Sequence, residues 1–376
     1  MEPARYYLPA EWMSALRTRR LMNALGAGKA LFVGGSVRDW IMGRPVGDID
    51  VATVLTPDAV QEQLAQAGIH YVPTGIDHGT ITAVVEGQGF EVTSLRRDVA
   101  TDGRRAVVAY TDDWAEDARR RDFTVNTLLA DDKGNIFDPL GRGLDDLAAR
   151  RLRFVGDARA RIAEDYLRIL RYFRFAAQFG WDGAGDADTL AACRAGAAHI
   201  GGLSRERITQ EIVKLLAAEN PVPALDLMEA HRIVPELLRG YDAAVMAALD
   251  TRNPLTRLAL LDEMYKGLIL SNEKKRFIGE VREAAAAMAD ESEAAAKRLV
   301  YRFGNRAAGE GYRLWCARKN KAPQAALVRL MDLWAAPVCP VKGDDLIAQG
   351  YKPGPELGQK LKELEREWLE KIIAGG

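Results

Sequence analysis

The chain has 376 residues, 48% hydrophobic and 28% charged, with 52 basic and 53 acidic side chains and a formal net charge of -1. That length exceeds what one core usually serves, so two or more domains are expected, and the apolar content excludes a disordered chain. The even charge balance excludes a globally basic nucleic-acid binder, so any polyanion must be held by local clusters of arginine and lysine.

Residues up to about Leu25 read as an amphipathic helix, with Trp12, Leu16, Leu21 and Leu25 at roughly helical spacing. Gly26-Ala-Gly-Lys29 superficially resembles a phosphate loop, but Asn23 and Ala30 stand where that pattern requires Gly and Ser or Thr, so the match fails. The apolar run Leu31-Phe-Val33 then meets Gly34 and Gly35, followed by a brief helix with Arg38 and Asp39. A glycine pair lets backbone approach a ligand, and a helix start offers N–H groups to phosphate; the bland alternative is a tight turn. A second β-prone run carries Asp48 and Asp50, two positions apart and therefore on one strand face. Two adjacent anions repel unless a cation lies between them, and oxygen ligands suit magnesium; the alternative is a solvated strand edge.

Thr56-Pro-Asp58 is an N-cap signature for a helix through about Ala67. Thr80 to Arg96 reads as a hairpin turning at Gly87-Gln-Gly89, with Glu91 on its second strand. Glu91 is either a third carboxylate for Asp48 and Asp50 or an exposed strand glutamate. Arg96 to Glu116, rich in Asp, Arg and Gly, reads as a mobile loop of the kind that closes over substrates. Arg119-Arg-Arg-Asp-Phe-Thr-Val-Asn126 runs into an apolar segment. That places Arg121, Asp122 and Asn126 where they could hold phosphate and sugar, although arginine runs are usually solvated.

Beyond Asp138–Asp146, a turn-rich joint, helical periodicity takes over and the second half reads as all-α. Its first long helix is expected over Glu164–Gln178. Arg168, Arg171 and Arg174 slip about 60° per step and stay on one side with Asp165 at the edge, beside an apolar face of Leu167, Leu170 and Phe173. Such a face is usually a solvated row of ion pairs, but three arginines against one carboxylate leave surplus charge suited to a base edge and a triphosphate. Further helices are expected near 204–218, 223–231, 253–270, 280–303 and 309–319. The four histidines form no metal-binding pattern. Near the end, Pro340–Gly358 places a short helix, a glycine-proline turn and a final helix with Lys360 and Lys362, suited to phosphate or simply a helical hairpin. The three cysteines, Cys193, Cys316 and Cys339, are odd in number and far apart, so neither a disulfide framework nor a zinc knuckle is indicated. With no signal-peptide pattern and no membrane-spanning run, a cytoplasmic protein without membrane contact is expected, and no protein partner is inferred.

Val33-Gly-Gly-Ser-Val-Arg-Asp39 with Gly43-Arg44 and Asp48-Ile-Asp50 resembles the first motif of class II tRNA nucleotidyltransferases, the CCA-adding enzymes and bacterial poly(A) polymerases. Arg120–Asn126 resembles their second motif, and Glu164-Asp165 with Arg168, Arg171 and Arg174 their base-recognition motif. The Gly-x-Asp-Leu and Gly-Pro-x-x-Gly tail completes four matches in family order. The resemblance implies an α+β fold: a small mixed-sheet nucleotidyltransferase head (1–145), then an all-α neck with the nucleobase-recognition helix (146–203), a body (204–300) and a tRNA-binding tail (301–376). It implies template-independent addition of CCA to tRNA from CTP and ATP, with Asp48 and Asp50 holding two Mg²⁺ and Glu91 as a third catalytic carboxylate. Gly34, Gly35 and Arg38 would meet the triphosphate, as would Arg121, Asp122 and Asn126, which also meet the sugar. Asp165 and Arg168 would read the base, with Arg171 and Arg174 supporting the helix and phosphates. A poly(A) polymerase or A-adding enzyme is the alternative within the family, and a non-catalytic RNA-binding module a remote one. Thr74-Gly-Ile-Asp-His-Gly-Thr80 resembles the CCA-adding form, the last residues are not strongly basic, and the full-length 96–116 segment argues against a CC-only enzyme. Thr127 replaces the Ala more usual after Asn126.

Overall fold

The structure, a computed structural model, describes residues 1–375 except Leu8, 77–78, 102–105, 182–186 and 262–266. Asp77 and His78 of the 74–80 segment therefore lie outside the described residues. The chain separates into two compact units, Met1–Leu203 and Ser204–Gly376.

The first unit begins with β1 (Arg5–Tyr6), α1 (Glu11–Ser14), α2 (Leu16–Leu25), β2 (Ala30–Val33), α3 (Gly35–Ile41), β3 (Asp50–Thr53) and α4 (Pro57–Gln66). It continues through β4 (His70–Gly75), β5 (Thr80–Val85), β6 (Gln88–Ser94), β7 (Arg96–Thr101), β8 (Ala106–Tyr110) and α5 (Trp114–Arg119). β9 (Leu129–Ala130), β10 (Asn135–Phe137), α6 (Gly143–Ala148), α7 (Ala158–Glu164), α8 (Leu167–Phe179) and α9 (Ala187–Gly196) complete it. Among the described residues eight strands form one mixed sheet in the order β1-β10-β9-β2-β3-β6-β5-β4. Its β3–β6 pair is parallel, with Asp50 registered opposite Glu91.

Strand alternation gives the sheet two different faces. Phe32, Val51, Val92 and Ile81 are in register and fully or almost fully buried on one. There α2 and α4 pack on β5, and Trp12 meets Phe32 edge-on at 4.8 Å. Leu31, Val33, Ala52, Leu95 and Leu129 gather on the other with Trp114 and Phe137. Asp50 and Glu91 share the parity of Ala52 and emerge on this second face.

Several expected elements appear with local chemistry that explains them. Pro57 starts α4, and the Thr56 hydroxyl accepts from the Ala59 N–H. The β5–β6 turn uses Glu86 (φ 51°) and Gly87 (φ 79°), a two-residue turn of the twisted kind hairpins favour, one residue earlier than the sequence suggests. Others differ. The N-terminal helix is two helices parted at Ala15, whose ψ of 141° is extended, and Leu16 is 72% exposed rather than part of the apolar stripe. The 96–116 segment is not a plain loop: β7 and β8 form a separate two-stranded ribbon, followed by α5. The β-prone Ala106–Tyr110 finds its partner in Arg96–Thr101, which has no apolar alternation to announce it.

The second unit is helical throughout its described residues: α10 (Arg205–Leu216), α11 (Val222–Ala230), α12 (Ala243–Ala248), α13 (Pro254–Leu260), α14 (Asn272–Ala287), α15 (Glu293–Arg318), α16 (Ala325–Leu333), α17 (Gly343–Ala348) and α18 (Pro355–Gly375). The helix expected over 253–270 ends at Leu260. The one expected over 280–303 breaks where Ser292 caps α15 by accepting from the Ala295 N–H; α15 then kinks at Gly304 (φ 76°, ψ 163°), near the expected break before 309–319, and ends at Arg318. Ala284, Met288, Leu299, Val300, Tyr312 and Met331 form part of the core shared by α14, α15 and α16. Gly311 makes that packing feasible, since a β-carbon there would lie 2.5 Å from Ala284 Cβ and 3.0 Å from α14 backbone.

Candidate active site

β2 ends in Gly34, whose φ of 71° and ψ of -122° suit glycine alone, and the chain turns directly into α3. A cleft of about 440 Å³ opens there in the first unit, lined by Gly34, Gly35, Arg38, Asp50, Arg121, Asp122, Asn126, Asp165, Arg168, Arg171, Arg174 and Phe175. Sequence segments more than a hundred residues apart thus converge, and of the thirteen site residues expected above, Asp48 and Glu91 alone fall outside this lining. Phe175 is the lining residue the sequence reading missed.

The acids sit at one edge. Asp48 is not on the strand as expected: β3 begins at Asp50, and Asp48 is an exposed residue in the bend before it. Ile49 between them is 5% exposed, and Asp48 is near enough for its charge to act on Asp50. Burial, then the charges of Glu91 and Asp48, push the Asp50 carboxyl up to about 6 against the pull of Arg121. Among the described residues no three His, Cys, Asp or Glu side chains form a ready-made cage. The donor set instead fits magnesium, which is commonly held by one or two carboxylates and completed by substrate phosphates and water.

The rest of the cleft is a wired set of guanidiniums. Arg38 donates to both carboxylate oxygens of Asp39, at 3.1 and 2.9 Å, and to Asn126 Oδ1 at 2.6 Å. Asn126 Nδ2 donates to Asp122 Oδ1 at 3.1 Å, and Asp122 Oδ2 accepts from Arg171 Nε at 2.7 Å. Burial raises the proton affinity of Asp122, but Arg171 and Asn126 outweigh it and hold the carboxyl below its ordinary range. Both Asp122 oxygens are therefore engaged in orienting Asn126 and Arg171. Asp117, 3% exposed, plays the same part for the arginine run. It accepts from Arg120 Nε at 2.7 Å and from Arg121 Nη2 at 2.8 Å, and these charges overcome burial to lower its pKa. The i, i+3 and i, i+4 spacing of Asp117 to Arg120 and Arg121 was the available signal for it.

The expected helix over Glu164–Gln178 is divided. Asp165 is extended (φ -156°, ψ 104°) between α7 and α8, and its Oδ1 accepts from the Leu167 N–H at 3.1 Å, which starts α8. Arg168 donates to Glu164 Oε2 at 2.6 Å and to the Arg161 carbonyl at 2.8 Å. The joint lets Asp165 and Arg168 both line the cleft while Leu167, Leu170 and Phe173 are buried behind them.

Comparison with known proteins agrees with this arrangement. Residues 30–153 match the family described as Poly A polymerase head domain, and 186–245 the one described as probable RNA and SrmB- binding site of polymerase A. The human mitochondrial CCA tRNA nucleotidyltransferase 1 is 35% identical over 89% of this chain and 81% of its own length. The CCA-adding enzyme of Streptococcus sanguinis is 34% identical over 95% of this chain and 93% of its own. The crystal structure of the Bacillus stearothermophilus CCA-adding enzyme in complex with CTP superposes with a TM-score of 0.79 at 27% identity, covering 95% of this chain and 93% of that one. A mixed-sheet unit with a glycine turn, an arginine-lined cleft and similarity over most of the chain to such proteins lead to one assignment: the chain belongs to the tRNA nucleotidyltransferase/poly(A) polymerase family, among the CCA-adding tRNA nucleotidyltransferases.

Proposed function

We propose that this protein adds C, C and A to the 3′ end of tRNA from CTP and ATP without a nucleic-acid template. The observation that carries the reading is the single cleft in which Asp50 lies among Arg38, Arg121, Arg168, Arg171, Arg174 and Asp165. Anionic and cationic groups there divide the work of nucleotidyl transfer. The 3′-hydroxyl gives up its proton to solvent as its oxygen attacks the α-phosphorus, a new P–O bond forms, and pyrophosphate leaves with the electrons of the broken bond. Asp48 and Asp50, with Glu91 beside Asp50, would hold magnesium, two ions in this reading. Such ions supply Lewis-acid stabilisation of the attacking and leaving oxygens. Arg38 and Arg121 present planar forks to the triphosphate, with Asn126 fixing Arg38 and Asp117 fixing Arg121. Gly34 and Gly35 leave room for its oxygens at the turn. Asn126 also faces the sugar, and Asp122 supports it.

Asp165 and Arg168 read the base in this account. A carboxylate accepts from the exocyclic amine that cytosine and adenine share, and a guanidinium donates to the neighbouring ring acceptor. Arg171 and Arg174 brace α8 and contribute positive potential. The division into head (1–145), neck (146–203), body (204–300) and tail (301–376), the tail binding tRNA, is supported at one border by the break between Leu203 and Ser204. Among the described residues no helix is long and apolar enough to cross a membrane, and the three cysteines are free thiols, which suits the reducing cytoplasm. Incubation with tRNA lacking its 3′ end, Mg²⁺ and labelled CTP or ATP tests the reading. Extension by C, C and A that then stops is expected. Absence of incorporation overturns it, and a long A tract from ATP alone assigns the polymerase instead.

A further inference from the structure

On α8, Phe175, which lines the cleft, and Phe179, which does not, lie one helical turn apart with ring centroids 5.3 Å apart and planes 24° from parallel. Four guanidiniums surround this pair. Arg38 is 5.1 Å from the Phe175 centroid and 4.8 Å from that of Phe179. Arg174 stands 3.8 Å from Phe175, Arg171 5.5 Å from it, and Arg44 5.6 Å from Phe179. Gln178 ties the arrangement together, its carbonyl accepting from Arg44 at 2.7 Å and its Oε1 from Arg174 at 3.1 Å. Arg38 and Arg174 are each 7% exposed, so like charges are gathered where water screens them poorly. Asp39 pairs with Arg38 and Asp122 with Arg171, and the electron-rich ring faces attract the cations and offset the repulsion that remains.

We propose that the Phe175–Phe179 pair is a positioning platform that holds the cleft arginines in their polyphosphate-receiving arrangement before a nucleotide arrives, with Phe179 a positioning residue that does not itself line the cleft. This rests on the reading of Arg38 as a triphosphate ligand. Because α3 and α8 meet through Arg38 on these rings, the platform acts on the phosphate end of the nucleotide and not on choice of base. Its loss raises KM for CTP and ATP by a common factor, leaving kcat and the ratio between the two nucleotides in place.

The test compares Phe179→Leu, which keeps apolar bulk without a ring, with Phe179→Tyr, which keeps the ring, in the full chain. Inorganic tripolyphosphate binding is measured by calorimetry, KM and kcat by tRNA extension, and folding by thermal melts. Phe179→Leu is expected to weaken tripolyphosphate binding and raise both KM values about three- to tenfold, with Phe179→Tyr within about twofold of wild type. Unchanged tripolyphosphate affinity in Phe179→Leu overturns the proposal, as does equal loss in the Tyr variant or a shifted CTP/ATP ratio. If the Leu variant melts early, Phe179→Met supplies the ringless comparison on the same scale. Arg38→Ala separates the two readings. If it leaves tripolyphosphate binding intact, the triphosphate role of Arg38 fails; if it weakens binding while Phe179→Leu does not, the platform alone fails.

Discussion

Asp50 is held where burial and the charges of Glu91 and Asp48 oppose its ionisation, so the acid at the centre of the proposed chemistry costs the metal-free protein stability. Asp50→Asn removes that charge at nearly constant shape. A rise from 3.8 to about 6 corresponds to an upper bound of about 3 kcal/mol at about 1.4 kcal/mol per tenfold in proton affinity. Discounting for solvent screening at the cleft mouth leaves about 1–2 kcal/mol, or about 2–8 °C in the melting of a unit of this size. The sign follows from linkage. A folded-state value above the unfolded one means that ionised Asp50 destabilises fully above about pH 6, less as it protonates, and not at all below about pH 4. Thermal melts of wild type and variant in EDTA at pH 8 and pH 4 provide the assay. The variant is expected to melt higher at pH 8, to match wild type at pH 4, and to add no nucleotide. Added Mg²⁺ narrows the gap by stabilising wild type more. A gain of equal size at both pH values, or a loss at pH 8, refutes the electrostatic reasoning.

Other perturbations probe separate links. Asp165→Ala is expected to blur the choice of CTP and ATP over GTP and UTP more than it slows transfer, and to cost about 1 kcal/mol through loss of the Leu167 cap; unchanged selectivity in single-nucleotide incorporation would falsify its base-reading role. Asp117→Asn leaves Arg120 and Arg121 without their anion and is expected to cost about 3 kcal/mol at pH 7, seen as a lower urea midpoint. The lowered Asp117 pKa means its contribution is present above about pH 4 and lost as pH falls through the folded-state value, so the two proteins converge in acid. A difference that persists undiminished at low pH argues for packing instead. Gly311→Val drives a branched side chain into α14 and is expected to destabilise the second unit by about 1–3 kcal/mol or more, while Gly279→Ala, in open space on the same helix pair, stays near neutral in the same melts.

The chemistry of the site was legible where it depended on neighbours in sequence. Gly34-Gly35, the Asp48/Asp50 pair, the arginine run ending at Asn126 and the three-residue spacing of Arg168, Arg171 and Arg174 are local patterns, and the cleft contains nearly all of them. Strand alternation did not extend to Asp48, which lies in the bend before β3 and acts on Asp50 through its charge. The break between α7 and α8 was not legible, since Asp165 looks helical by periodicity until its own carboxylate caps the next helix. The β7–β8 ribbon was hidden because its pairing partner shows no alternation.

What the sequence by itself determined, then, is the inventory of reactive groups and the helical or extended character of the segments bearing them, since both follow from side-chain chemistry over a few residues. Only tertiary structure decided which groups meet. The parallel register that sets Glu91 beside Asp50, the contact that seats Arg38 of α3 on Phe175 and Phe179 of α8, and the burial that raises Asp50 arise from segments tens to more than a hundred residues apart. Distances, desolvation and charge coupling depend on that meeting and have no expression in local sequence.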